Sequence, residues 1–319
     1  MKSSAIVGLV TGALLAAGCA APTPAPVSVP ALSQNESAET VREPLTWEQL
    51  AALTAPAPAV EHLPYAGDAP QQFGELRFPQ TGTGPFPLVM LIHGGCWRAR
   101  IGYEHMRPLA QALTGLGVAT WTVEYRRLGD DNGGWPRTFR DVGLAADYVR
   151  TLARYYPIDP QRVIALGHSA GAQIALWLPT RARLPESSPL YRPDPLPLRG
   201  VIGLSAVTDL AAYRIGPRQG GCHSAVDKVI GADPEQKPQR YAQVSPIQRL
   251  PLGTPQWLIH GALDAVVSPE SAAVYADRAR RAGDRVTLQG IADAGHFETI
   301  APQGDAWQAV RAAVAQALK

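Results

Sequence analysis

The stretch Val163-Ile164-Ala165-Leu166-Gly167-His168-Ser169-Ala170-Gly171 runs from four apolar residues directly into a Gly-x-Ser-x-Gly pattern. A continuous apolar run bounded by glycine reads as a strand buried on both faces. The residues that follow, to about Leu178, read as a helix. A serine between such a strand and such a helix sits on a tight turn in strained geometry, and glycines on either side keep the neighbouring backbone from clashing. The turn holds the serine Oγ out at the end of the strand, beside a helix N-terminus that favours developing negative charge. The pattern alone is weak, but this context makes Ser169 a candidate nucleophile.

Outward from this point the chain alternates strand and helix. Phe73–Phe78, Leu88–Ile92, Val118–Val123, Val201–Leu204, Gln256–Ile259 and Arg285–Gln289 read as further strands. Tyr103–Leu116, stopped by Gly117, reads as a helix, as do Pro136–Tyr155, Pro269–Ala282 and Pro302–Leu318. Alternation over more than half the chain implies an α/β fold, a mostly parallel, doubly wound sheet of about eight strands. Two segments break the rhythm. Pro179–Leu198 carries six prolines, and Ile215–Pro255 is long and polar without a clear period. Both lie beyond strand ends, where open α/β sheets bind their ligands, so a small cap built from these insertions is expected to wall the pocket.

Three more motifs follow strand ends. His93-Gly94-Gly95-Cys96-Trp97 comes after Ile92, and its paired glycines let backbone N–H groups approach a substrate oxygen. His260-Gly261-Ala262-Leu263-Asp264 comes after Ile259, and Asp293-Ala294-Gly295-His296-Phe297 after the last strand. Asp264 and His296 are the candidate acid and base. Asp209 is a rival acid after an earlier strand. His260 reads as structural because it ends a strand and precedes the acid, and Asp293 as a loop or capping residue. His62, His105 and His223 have no partner motif and read as ordinary surface or loop residues. His168 is expected to pack under the turn.

Together these residues resemble the α/β-hydrolase superfamily. The HGGxW loop with GHSAG is similar to a branch that holds small carboxylesterases, feruloyl- and acetylxylan-type esterases and kynurenine formamidase. Tyr125-Arg126-Arg127, Gly134-Trp135-Pro136, Asp141 and Ser245-Pro246-Ile247 add to the likeness, which covers about residues 70 to 319. Cys96 departs from the branch, where an aromatic is frequent. The resemblance implies an α/β-hydrolase fold, with Ser169 as nucleophile, His296 as general base and Asp264 orienting it, in the chain order Ser, Asp, His. It implies an oxyanion hole from the N–H groups of Gly95, Cys96 and Ala170. The leading expectation is hydrolysis of a small-molecule carboxylic ester. Hydrolysis of an aryl formamide by the same residues, a peptidase, and a non-catalytic envelope-binding lipoprotein stand as alternatives. The chain has no HExxH, paired CxxC or GxGxxG pattern, so neither a metal nor another cofactor is expected.

The N-terminus carries a different message. Lys2, the apolar run Ala5–Ala17 and Leu15-Ala16-Ala17-Gly18-Cys19 resemble a bacterial lipoprotein signal, in which the cysteine is lipidated. Residues 1–18 then form the signal peptide and 19–45 a Pro-rich tether. Residues 46–71 form an N-terminal extension before the hydrolase domain, 72–319. Ala20 after Cys19 leans toward the outer membrane, facing the periplasm. Thr46-Trp47-Glu48-Gln49 reads as a capping box that opens a short helix. Lipidation of Cys19 leaves Cys96 and Cys222 in an oxidising compartment, where they are expected to form a disulfide at the pocket, with two unrelated thiols as the alternative. Of the 319 residues 46% are hydrophobic and 18% charged, and the net charge is +2. That balance gives no sign of a nucleic-acid partner, nor of membrane contact beyond the lipid anchor. Oligomeric state is not legible.

Overall fold

Strand β1 (Glu61–Pro64) pairs antiparallel with β2 (Phe73–Arg77), and β2 antiparallel with β4 (Ala119–Val123). All remaining pairings, through β3 (Phe86–Ile92), β5 (Ile158–His168), β6 (Gly200–Leu204), β7 (Gln256–Gly261) and β8 (Val286–Ile291), are parallel. The computed structural model describes Met1 and residues 43–53, 61–216 and 221–319. Cys19, the expected signal segment beyond Met1 and the tether to residue 42 lie outside the described residues. The sheet order is β1-β2-β4-β3-β5-β6-β7-β8. The chain passes from β3 to β4 on one side and then returns to β5 on the other. This reversal places the loops after β3 and β5 side by side, the position where such sheets bind ligands.

The apolar runs explain the layering. In β3 the side chains of Leu88, Met90 and Ile92 join the core on one face, while Val89 and Leu91 join the core on the other. In β5 Val163 and Ala165 face the first core, Ile164 and Leu166 the second. Period-two alternation buries both faces, and each fully buried aliphatic side chain contributes about 1.5–3 kcal/mol. Helix α1 (Trp47–Ala52) and α2 (Arg107–Thr114) cover the second core. The first core takes side chains from α3 (Arg137–Asp147), α4 (Val149–Tyr155) and α5 (Ala170–Trp177). Short helices α6 (Leu210–Tyr213), α7 (His223–Ile230) and α8 (Pro238–Val244) follow on that side. Helix α9 (Pro269–Arg281) packs there too, and α10 (Gly304–Ala317) closes the second core.

Four expectations need correction. The helix expected over Pro136–Tyr155 is two helices that part at Tyr148, where the buried Arg181 takes the Gly143 carbonyl and the Asp147 carboxylate. The helix expected from Tyr103 starts as a 3-10 turn, Tyr103–Met106, because Pro108 has no N–H to continue an α ladder through it. The polar stretch 215–255 holds α7, α8 and a 3-10 turn, Pro246–Arg249, each too short to show a helical period. The described residues of the stretch 46–71 are not an extension outside the domain: β1 forms the sheet edge and Leu50 of α1 is buried in the second core. Thr46 caps α1 with the reciprocal hydrogen bonds to Gln49 that the capping box requires.

Candidate active site

Ser169 links β5 to α5 with φ 54° and ψ −120°, a left-handed region that costs a non-glycine residue of order 1–3 kcal/mol. The surrounding backbone imposes it. A Cβ on Gly167 would lie 2.3 Å from the Gly171 carbonyl oxygen, and one on Gly171 would lie 2.2 Å from that of Ile92. Only glycine at both positions lets the turn close against β3. The side chain of Ser169 is buried. The Ala172 and Gln173 N–H groups donate to the Ser169 carbonyl at 3.0 and 3.2 Å, which starts α5 and leaves the Ala170 N–H at its first turn.

The loop after β3 abuts this turn. A Cβ on Gly94 would stand 3.2 Å from Cβ of Ser169. Gly95, Cys96 and Trp97 then take φ values of 108°, 57° and 53° in succession. Two consecutive non-glycine residues in that region need outside support, and three contacts supply it. Cys96 is joined to Cys222 by a disulfide with 4.9 Å between the Cα atoms. The Trp97 indole N–H donates to Gln173 Oε1 at 3.2 Å, and Gln173 in turn donates to the Val244 carbonyl. Arg98 Nη2 donates to Ser224 Oγ at 3.1 Å. The loop is thus tied to α7 through Cys222 and Ser224. Beneath it the His93 ring stacks on Tyr125 at 4.5 Å, with Nε2 3.0 Å from Glu124 Oε1, and the Tyr125 hydroxyl donates to the His93 carbonyl. Burial pushes the Glu124 carboxyl up, but His93 and Arg127 beside it hold it below its ordinary value. The Arg126 guanidinium grips Asp141 at 2.6 and 2.7 Å and anchors the segment after β4.

Asp264 lies just after β7 and His296 after β8. The His296 Nδ1–H donates to Asp264 Oδ2 at 2.8 Å. The other carboxylate oxygen accepts the N–H groups of Val266 and Val267 at 2.8 and 2.9 Å. His260 Nε2 is shared between the Val267 carbonyl at 2.8 Å and Asp264 Oδ2 at 3.3 Å. Burial alone pushes the Asp264 carboxyl up, but the hydrogen bonds from His260 and His296 and the two backbone donors leave it far below the usual carboxylate range. Asp264 is therefore anionic, and His296, with Nδ1 engaged, keeps Nε2 as the nitrogen able to take a proton.

The structure brings Asp264 and His296 into direct contact. Ser169 is linked to them through its neighbour: His168 Nε2–H donates to the His296 carbonyl at 3.0 Å, and the two imidazole rings lie 4.7 Å apart. Among the described residues the Ser169 hydroxyl makes no hydrogen bond to His296. Burial holds His168 neutral, well below the ordinary histidine range. Asp209 is occupied elsewhere, capping α6 through the Ala212 N–H. His105 is not an ordinary surface residue. It is buried, bonded to the Gly102 carbonyl and edge-on to His93, and burial lowers its pKa to about 3. His223 is also held, with Nδ1 on the Tyr213 carbonyl. His62 remains half exposed, beside Glu75.

Two contributors were missed by sequence reasoning. One is His260, whose contact with Asp264 depends on how the loop after β7 folds back. The other is the N-terminal segment. Trp47 lies edge-on to both Phe297 and His105 at 5.8 and 5.3 Å. Glu298 accepts the N–H groups of Leu45 and Gly295, and a Cβ on Gly295 would meet Pro44 at 2.6 Å. The capping box at Thr46 was the only sequence signal here, and it said nothing about what α1 covers. Among the described residues no group of three or more His, Cys, Asp or Glu side chains is placed to hold a metal ion.

The family model BD-FAE matches residues 75–278, more than half of the chain. A probable isoprenylcysteine alpha-carbonyl methylesterase of Arabidopsis thaliana is 32% identical over 110 residues, 34% of this chain and 22% of the plant protein. Esterase LipC of Mycobacterium tuberculosis is 26% identical over 226 residues, 67% of this chain and 53% of its own length. The chain thus spans at most about half the length of these relatives. Among solved structures, a truncated carbohydrate esterase from gut microbiota superposes with a TM-score of 0.69 at 19% identity, covering 80% of this chain and 94% of that one. A butyrate-bound thermophilic esterase of Thermogutta terrifontis gives 0.65 at 21% identity, covering 81% and 93%. These likenesses show the α/β-hydrolase fold.

Proposed function

The chain belongs to the BD-FAE family of α/β-hydrolase-fold proteins, and from that premise we propose that it is a serine hydrolase cleaving a carboxylic ester of small or medium acyl size. The observation that carries this reading is the buried, ionised Asp264 bonded to His296 Nδ1, at the same sheet end as the strained turn of Ser169. In the proposed reaction His296 Nε2 accepts the Ser169 hydroxyl proton as Oγ attacks the acyl carbonyl. Asp264 holds the imidazole in that tautomer and stabilises the cation that forms. The oxyanion is held by the N–H groups of Ala170 and of Gly95 and Cys96, each donor contributing about 3–4 kcal/mol to the transition state. His296 then protonates the leaving alcohol, and water releases the acyl group by the same steps in reverse roles. The relatives named as esterases support ester chemistry. We also propose that the chain is lipid-anchored at Cys19 in the bacterial envelope, on the strength of the lipobox-like sequence alone.

Ser169→Ala should abolish turnover of p-nitrophenyl acetate while leaving the circular dichroism spectrum unchanged. A fluorophosphonate probe should label Ser169 in the wild type. Labelling at another residue, or full activity in the variant, would sink the assignment. Faster turnover of N-formylkynurenine than of the ester would move the proposed substrate to aryl formamides.

A further inference from the structure

The end of the sheet opposite Ser169 has its own chemical character. A groove of about 1080 Å³ runs beneath the N-terminal ends of the parallel strands, and a second of about 570 Å³ adjoins it, with Arg199 lining both. Arg162 lies just before Val163 in β5, Arg199 just before β6 and Arg285 just before β8, while Arg311 projects from α10. No Asp or Glu side chain lines either groove. None of the four arginines forms a salt bridge among the described residues. Among the described residues the only side-chain hydrogen-bond partner of any is Gln308, bonded to the Arg311 guanidinium. The lining between them is mixed, with Phe86, Val118, Leu318 and Trp257 set among Gln256, Gln308, Gln316 and Lys319.

In a chain of net charge +2, four guanidinium groups without a salt bridge gather at one pole; the adjacent acidic side chain, Asp284 beside Arg285, is buried and spent on Gln256 and the Leu252 and Gly253 N–H groups. Guanidinium groups bind phosphate oxygens with forked donors, and a lining that mixes amide and apolar side chains suits the polar headgroup layer of a bilayer rather than its hydrocarbon core. Among the described residues no helix is long and apolar enough to cross a membrane, so such contact would be peripheral.

We propose that this groove docks the domain on a bilayer surface by binding the phosphates of anionic lipid headgroups. The choice of a lipid surface rests on the proposed anchor at Cys19, which would hold the groove close to headgroups at high effective concentration. Whole-chain charge hid this because it records only a total and not where the arginines gather. The consequence is orientation. The six residue-to-residue steps from Val163 to Ser169 span roughly 20 Å of extended chain, so docking by the groove turns the active site away from the bilayer.

The test uses the full chain carrying Cys19→Ser, floated with vesicles of phosphatidylglycerol or phosphatidylcholine. The N-terminal segment is common to every sample, so differences report the groove. Binding to phosphatidylglycerol should exceed binding to phosphatidylcholine on the order of tenfold or more, and should be lost at about 0.5 M salt. Arg162→Glu/Arg199→Glu/Arg285→Glu/Arg311→Glu should remove that preference while p-nitrophenyl acetate turnover is retained. If that variant does not fold, the pairs Arg162→Glu/Arg311→Glu and Arg199→Glu/Arg285→Glu should each remove part of it. Equal binding to both vesicles, or a preference that the folded variants keep, overturns the proposal. Mass spectrometry of wild-type Cys19 reads the anchor separately, so failure of the anchor and failure of the groove are distinguishable.

Discussion

Four donors converge on the two oxygens of Asp264: the Val266 and Val267 N–H groups, His296 Nδ1–H and the shared Nε2–H of His260. A carboxylate so surrounded is fixed in position as well as in charge. Asp209, by contrast, spends its carboxylate on the N-terminus of α6. Asp264→Asn should therefore lower kcat by about 10³–10⁴-fold, because an amide in place of the carboxylate favours the wrong imidazole tautomer. Asp209→Asn should lower it far less, since asparagine also caps helices. Steady-state kinetics on both variants give the ranking, and the reverse order would move the acid to the loop after β6.

At the scale of elements, the loop after β3 and the helix α7 are distant in sequence and joined by one bond. The Cys96–Cys222 bridge spans 126 residues, and chain-entropy reasoning sets its stabilising effect at up to about 5 kcal/mol. Its local effect differs from its global one, because Cys96 is itself left-handed and next to the proposed oxyanion donors. Cys222→Ser should lower the melting temperature, and at temperatures where the variant stays folded it should lower kcat more than it raises KM. A variant that only melts earlier, with unchanged kcat, would show that Trp97 and Arg98 suffice to hold the loop. Helix α1 makes a second such contact, on the loop of His296. Trp47→Ala removes the aromatic packing on Phe297 and His105 from a partly exposed site. It should reduce kcat while Trp47→Phe largely restores it; an unchanged kcat in Trp47→Ala would show that this packing does not help to hold the His296 loop.

For the whole molecule, the paired carboxylate of Asp264 sets a pH dependence of stability. Its folded-state pKa is depressed, so its contribution is fully present above the unfolded value near 3.9 and is lost as pH falls through the lower folded value. The difference in unfolding free energy between wild type and Asp264→Asn should therefore not narrow between pH 7 and about pH 4, and should narrow below it. Denaturant titrations across that range measure it. A gap that closes already near pH 6 would show that Asp264 is not held ionised by its partners.

The division between sequence and structure follows the range of the forces involved. Local pattern was enough for the strand at Val163–Leu166, the turn at Ser169, the cap at Thr46 and the parallel alternation, because each depends on side-chain period or on backbone sterics within a few residues. The chain order of Ser169, Asp264 and His296 was legible for the same reason: each follows a readable strand. Tertiary structure alone decided that β1 and α1 belong to the domain and that Tyr148 divides α3 from α4. The distant Arg181 competes there for groups inside the helix. It also decided that His260 and Trp47 attend the acid and the base, and that Arg162, Arg199, Arg285 and Arg311 gather at one pole. Those contacts join residues far apart in the chain, and no local period or total charge records which side chains the sheet order will bring together.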